Sequence, residues 1–221
     1  MTQKMLKISK KVVLMADIQD SGLKNPINAM YHFKQIVADS NTIFSKNIQS
    51  PLTITLGDEF QGVIKNVHNA IRIIYYIEEF IVKNNIDFKL RYVINDGAID
   101  TEINPIRSYE MLGKGLTDAR NQLNELKKTK SRFLISLSSE PKSEIINESF
   151  IIYQSIIDGW NINRDYELLS NFIDLEDYKV VALTINKDKS QIWKRNKNLN
   201  IDSYFAIKKV ILSTVALKLR K

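Results

Sequence analysis

The chain alternates between short apolar runs and longer segments with apolar residues at helical spacing, and this alternation predicts its elements. Residues 11–16 form an uninterrupted apolar strand of the kind covered on both faces. Asn25 and Pro26 then supply an N-cap and a first helical position, and Ala29, Phe33, Ile36, Val37 and Phe44 recur at helical spacing, predicting a helix over 26–45. Pro51 opens the next strand. Gly57-Asp58 makes a tight turn between strands at 52–56 and 60–64, the pattern of a hairpin. Val67, Ala70, Ile71, Ile74, Ile77 and Ile81 mark one face of a helix over 67–83, and Phe88, Leu90, Tyr92 and Ile94 alternate along a strand that stops at Asn95-Asp96-Gly97. A helix at 116–128, a strand at 132–137 and a helix from Pro141 to about Gly159 complete the series.

The order strand, helix, hairpin, helix, strand, helix, strand mixes crossovers with an antiparallel pair. It predicts an α+β fold with helices on one face of the sheet. Residues 160–164 are the expected boundary between a domain at 1–159 and a small all-α domain at 160–221, beyond which short helical patterns carry a basic surplus.

Composition narrows the chemistry. With 44% hydrophobic residues the chain has enough apolar material for a core, and no apolar run approaches the roughly 20 residues of a membrane span. The first residues lack the apolar stretch of a secretory signal, so the expectation is a cytoplasmic protein. Zero cysteines exclude disulfides, thiolate zinc sites and cysteine nucleophiles, and His32 and His68 are the only histidines. The net charge is +7, and between 179 and 221 eleven lysines and arginines face only Asp188 and Asp202, so attraction to polyanions belongs to that part.

Two acids stand where strands end: Asp17 after the first strand and Asp58 in the hairpin turn. If the sheet brings them together, hard carboxylate oxygens suit Mg²⁺ or Mn²⁺ and, through the ion, the phosphates of a nucleotide. Taken singly, Asp17 also reads as a helix cap and Asp58 as an ordinary turn residue. The segments Met15-Ala16-Asp17-Ile18, Thr55-Leu56-Gly57-Asp58-Glu59-Phe60-Gln61-Gly62, 90–97 and Gly113-Lys114-Gly115-Leu116-Thr117-Asp118-Ala119-Arg120 together resemble the SatD family. That family's layout is similar to class III nucleotidyl cyclases, GGDEF proteins and polymerase palms, so the resemblance implies a ferredoxin-like sheet.

The same resemblance implies that Asp17, Asp58 and the carbonyl of Ile18 hold metal. It further implies that Gln19, Asp20, Ser21, Gly22 and Gly57, with Arg120, receive the nucleotide, the turn amides and following helix start facing phosphate. Glu59 either joins the site or pairs with Arg91. The chain departs from the cyclase pattern in three places. Asp20 stands where those enzymes carry glycine, Thr117 and Asn121 stand where they place a transition-state asparagine and arginine, and the region of Ile54 replaces the purine-reading lysine. These departures favour nucleotide binding over turnover.

Further on, Val181-Ala182, Ile185-Asn186 and Ile192 match part of a helix-turn-helix template, a segment that SatD-like proteins often carry. It would expose Lys189, Ser190, Gln191, Lys194 and Arg195 to a DNA groove. A small helical subdomain with a solvated basic face fits the same spacing. An amphipathic helix over 204–219 packs within the chain or against a second copy, as a homodimer. The reading is a nucleotide-binding regulator coupled to DNA. An active cyclase or nucleotidyltransferase, or a scaffold that retains only the fold, stays open beside it.

Overall fold

The computed structural model describes residues 9–19 and 25–217. Among them, five strands form one sheet: β1 (Ser9–Gln19), β2 (Ile48–Ile54), β3 (Glu59–Ile64), β4 (Lys89–Ile99) and β5 (Phe133–Ser136), in the order β2-β3-β1-β4-β5. β1 is antiparallel to both β3 and β4, β2 is antiparallel to β3, and β5 runs parallel to β4. The central strand is the apolar run that the sequence predicts to be covered on both faces.

Side-chain alternation along β1 divides the interior in two. Val12, Leu14, Ala16 and Ile18 face α1 (Pro26–Ile43) and α2 (Val67–Lys83), in a core continued by Phe33, Ile36, Ile74, Ile77, Tyr92 and Ile94. Asn25 and Asn66 cap these two helices, accepting from the Asn28 and Asn69 amides. Val13 and Met15 point the other way, with Val63 and Val93, into a smaller core closed by Ala119, Leu123 and Leu126 of α3 (Lys114–Leu126).

The expectation of helices on one face is therefore corrected, because α3 lies on the opposite face. The reason is one of hand. β3 and β4 are parallel to each other, as are β4 and β5, and both connections move in the same direction across the sheet. With α2 and α3 on opposite faces, the β4–α3–β5 crossover has the opposite hand to β3–α2–β4. Crossovers overwhelmingly share one hand, so the sequence rule puts α3 with the others. Loop 100–113 makes the exception workable by crossing the second face to β2, where Ser108 donates from its amide to Thr53 Oγ1 at 2.9 Å and from its hydroxyl to the Pro51 carbonyl at 2.7 Å.

Two strand limits are also corrected. β2 starts at Ile48 rather than at Pro51; it is an edge strand whose register shifts on either side of Ser50, and such irregular edges accept proline. β4 continues through Asn95-Asp96-Gly97, because β1 is long enough to pair with it as far as Ile99 and Asn95 spends its side chain on the Gly115 carbonyl at 2.8 Å.

The remaining helices are α4 (Glu140–Asp158), α5 (Ile162–Leu175), α6 (Tyr178–Thr184), α7 (Lys189–Asn198) and α8 (Ile201–Ala216). Their apolar faces join the larger core through Tyr153, Leu169, Phe172, Val181, Tyr204 and Ile211. Trp160, in the segment between α4 and α5, is buried and donates its indole N–H to the Leu199 carbonyl at 2.8 Å. α8 is tied to α2 where Tyr204 and Lys208 both reach Glu79. No helix among the described residues is long and apolar enough to cross a membrane.

Candidate functional site

Asp17 lies near the end of the central strand on the α3 face, and the register places Glu59 of β3 on one side of it and Arg91 of β4 on the other. Directly opposed residues share a sheet face, so these three side chains form a charged row. Both carboxylates are 2% exposed. A buried carboxylate needs partners, and each has them. Arg91 Nε donates to Asp17 Oδ1 at 3.2 Å, and Lys127 Nζ lies 3.2 Å from Asp17 Oδ2. Glu59 pairs with Arg120 and accepts from the Thr55 hydroxyl at 3.0 Å.

Three cations thus face two carboxylates, with Arg120 and Lys127 both descending from α3. Seven residues is close to two helical turns, which puts them on one face of α3 with Leu123 between. This spacing is the signal from which Lys127 could have been found. The expected pairing of Glu59 with Arg91 is corrected: Asp17 takes Arg91 and Glu59 takes Arg120. Thr117 and Asn121 are exposed.

The hairpin turn abuts the end of β1. Ile18 donates its backbone N–H to the Asp58 carbonyl at 2.9 Å, which sets the turn backbone beside the Asp17 strand end, while the Asp58 side chain is exposed. Gly57 takes φ +78°, a left-handed conformation that glycine adopts without strain, and it lets Asp58 N–H return to the Leu56 carbonyl. Gln19 closes β1. Asp20, Ser21 and Gly22 lie outside the described residues.

Burial pushes the Asp17 carboxyl above its usual range, against the opposing pull of Arg91 and Lys127. The Asp17 and Asp58 carboxylates and the Ile18 carbonyl are hard oxygen donors of the kind Mg²⁺ takes, so the donor chemistry fits such an ion. In the structure those of Asp17 and Ile18 serve basic side chains instead, since Arg91 Nη2 also approaches the Ile18 carbonyl at 3.5 Å. Among the described residues no group of three or more His, Asp or Glu gathers as a ready metal cage.

In the C-terminal part, α6 and α7 are joined by a short turn in which Asn186 takes φ +52°. Its amide returns to the Leu183 carbonyl and that of Lys187 to Ala182, the double closure of a Schellman motif. Asp188 caps α7 by accepting from the Ser190 and Gln191 amides. Of the residues expected at DNA, Lys189, Gln191 and Lys194 are exposed, as is Ser190, whose hydroxyl also serves Asp188. Arg195 is engaged elsewhere, donating to Asp165 of α5 at 2.6 Å. Arg195 and Arg164 together hold the Asp165 carboxyl below its usual range, with the hydrogen bond from Arg164 the largest cause. Trp193 is 46% exposed on α7.

No curated protein matches the chain. Among solved structures, it is similar to a bacterial light-regulated adenylyl cyclase with a TM-score of 0.41 and 10% identity, over 58% of this chain and 43% of that one. The chain therefore spans less than half the length of that relative. The SatD family model matches residues 4–215, nearly the whole sequence, and the chain belongs to the SatD family.

Proposed function

We propose that this protein is a nucleotide-responsive regulator whose sheet domain binds a nucleotide, with Mg²⁺, beside Asp17, and whose α6–α7 unit binds DNA. The observation that carries the reading is Asp17 itself. It is a carboxylate buried near the end of the central strand, next to the turn bearing Asp58, among more cationic than anionic side chains. The strand order β2-β3-β1-β4 with two split crossovers supports a ferredoxin-like, palm-type sheet. In such a site Asp17, Asp58 and the Ile18 carbonyl would hold the ion, which neutralises triphosphate charge. Arg91, Arg120 and Lys127 add positive potential toward the phosphates.

Exposed Thr117 and Asn121 offer no amine or guanidinium to a developing transition-state charge, which supports binding over turnover. Incubation with each nucleoside triphosphate and Mn²⁺, followed by mass spectrometry, is expected to yield no cyclic or oligomeric product; a product would make the protein an enzyme. Titration of nucleotide into the wild type and into Asp17→Asn with Asp58→Asn tests the site.

For the DNA reading, the supporting observation is α7, capped and projecting Lys189, Gln191 and Lys194. Lys189→Ala with Lys194→Ala is expected to weaken duplex binding about tenfold and to flatten its salt dependence by roughly two released counterions. Equal affinity and slope in the variant, measured by fluorescence anisotropy across a salt series, would remove α7 from the interface. Arg195 is left intact in this test because its loss would take one of the two arginines from Asp165 and disturb the contact between α5 and α7.

A further inference from the structure

We infer that Arg91 and Lys127 form an internal cation latch that closes the Asp17 site and couples its opening to α3. This inference rests on the proposed metal and nucleotide reading of that site. Both Asp17 oxygens are taken, Oδ1 by Arg91 and Oδ2 by Lys127, each at 3.2 Å. The Arg91 guanidinium spans the remaining groups, approaching the Ile18 carbonyl at 3.5 Å and the Lys127 carbonyl at 3.4 Å. Lys127 is the C-cap of α3, so one side chain links the strand-end oxygens to the end of a helix. Arg91 is mostly buried, whereas the Lys127 side chain is 38% exposed and free to swing into solvent.

An incoming cation must compete with these two for the Asp17 oxygens, whose charge they already neutralise. Withdrawal of Lys127 frees Oδ2 and removes an ion pair that, with that of Arg120 and Glu59, ties α3 to the sheet among the described residues. α3 leads directly into β5 and α4, and the α4 residue Tyr153 stacks on Tyr204 of α8.

The test uses Mn²⁺ alone as probe, with free ion counted by electron paramagnetic resonance in the intact protein. Lys127→Gln is expected to tighten Mn²⁺ binding about tenfold, as is Arg91→Gln, because each removes a competing partner of Asp17. Lys128→Gln is the control. It deletes the same charge one residue away, where the lysine pairs with Glu125. Equal tightening in Lys128→Gln would reduce the effect to net charge and overturn the latch. If Asp17→Asn abolishes binding but Lys127→Gln and Arg91→Gln leave it unchanged, the metal reading stands and the latch falls. If no variant binds Mn²⁺, or Asp17→Asn binds as the wild type does, the site reading fails and takes the latch with it. Circular dichroism melts confirm that each variant folds, and Lys127→Gln, at an exposed helix end, decides the question if Arg91→Gln does not.

Discussion

Arg132→Ala is expected to destabilise the protein by about 3–5 kcal/mol, the cost of leaving a buried charge without its partner. Arg132 is 1% exposed and precedes β5. Its guanidinium donates to both oxygens of Glu78 on α2, at 3.0 and 2.7 Å, and to the Leu90 carbonyl at 2.8 Å, while Tyr92 donates to the same Glu78 at 2.8 Å. Burial disfavours the charge on Arg132, but Glu78, together with Asp158 and Tyr92, outweighs it and leaves the guanidinium more firmly protonated than usual. The side chain also lies over the Phe133 ring, 4.9 Å from its centroid. Removing it leaves the buried Glu78 carboxylate without its cation, with the Tyr92 hydroxyl still donating to it, and opens a cavity. Against a total stability of about 5–15 kcal/mol, this is enough to depopulate the fold near 37 °C. Urea unfolding measures it. The triple change Arg132→Met, Glu78→Leu and Tyr92→Phe is expected to recover most of the loss, since apolar groups need no partner and Tyr92→Phe removes the hydroxyl that donates to Glu78. A loss under about 1 kcal/mol in Arg132→Ala would mean that the pair is solvated.

Gly97→Ala has a comparable expected effect for a different reason. At the crossing of β4 and α3 two glycines meet. A Cβ on Gly97 would stand 2.4 Å from the Gly115 Cα and 2.9 Å from the Asn95 amide nitrogen. The first obstacle is backbone, so the helix itself must move away. That displacement separates Ala119 and Leu123 from Val93 and breaks the Asn95 bond to Gly115, and such overpacking costs about 1–3 kcal/mol or more. It would also shift Arg120 and Lys127 relative to Glu59 and Asp17. The variant is thus expected to lose stability in urea and to bind nucleotide more weakly, whereas Gly57→Asn, in an open left-handed turn, is expected to change stability by less than about 1 kcal/mol. A wild-type unfolding midpoint for Gly97→Ala would contradict the close approach.

The contrast between these two sites shows what a sequence reveals here. Periodicity is a local property, and it located most elements well: α2 spans the predicted residues 67–83, and the alternation of Phe88, Leu90, Tyr92 and Ile94 identified the strand face turned to the larger core. Asn95-Asp96-Gly97 misled because those residues are turn formers only when no neighbouring strand claims their backbone. Here β1 does. The side on which α3 lies depends on the hand of a crossover, which no local pattern encodes. Glu59 and Arg91 were legible as charged strand residues, but their partners follow from register: Glu59 sits opposite Asp17 in β3, and Arg91 opposite it in β4. Lys127 carried a weaker signal, its two-turn spacing from Arg120. Arg195 could be placed on α7 from sequence, yet its capture by Asp165 depends on where the fold sets α5, thirty residues earlier in the chain.

This arrangement also changes how the acidic pair is understood. Asp17 and Asp58 differ in kind: the first is sealed and partnered by two cations, the second stands in solvent on a turn. A ligand that recruits both must draw the buried one out of its ion pairs, so affinity for metal alone should be modest and strengthened by the added charge of a nucleotide.

Isothermal titration of nucleoside triphosphates in the presence of Mg²⁺, comparing the wild type with Asp17→Asn plus Asp58→Asn, tests the central claim most directly. The account predicts a saturable, Mg²⁺-dependent heat in the wild type for at least one nucleotide, and an affinity at least roughly hundredfold weaker, about 2.7 kcal/mol, in a double variant that still folds. Identical isotherms for the two proteins would contradict it.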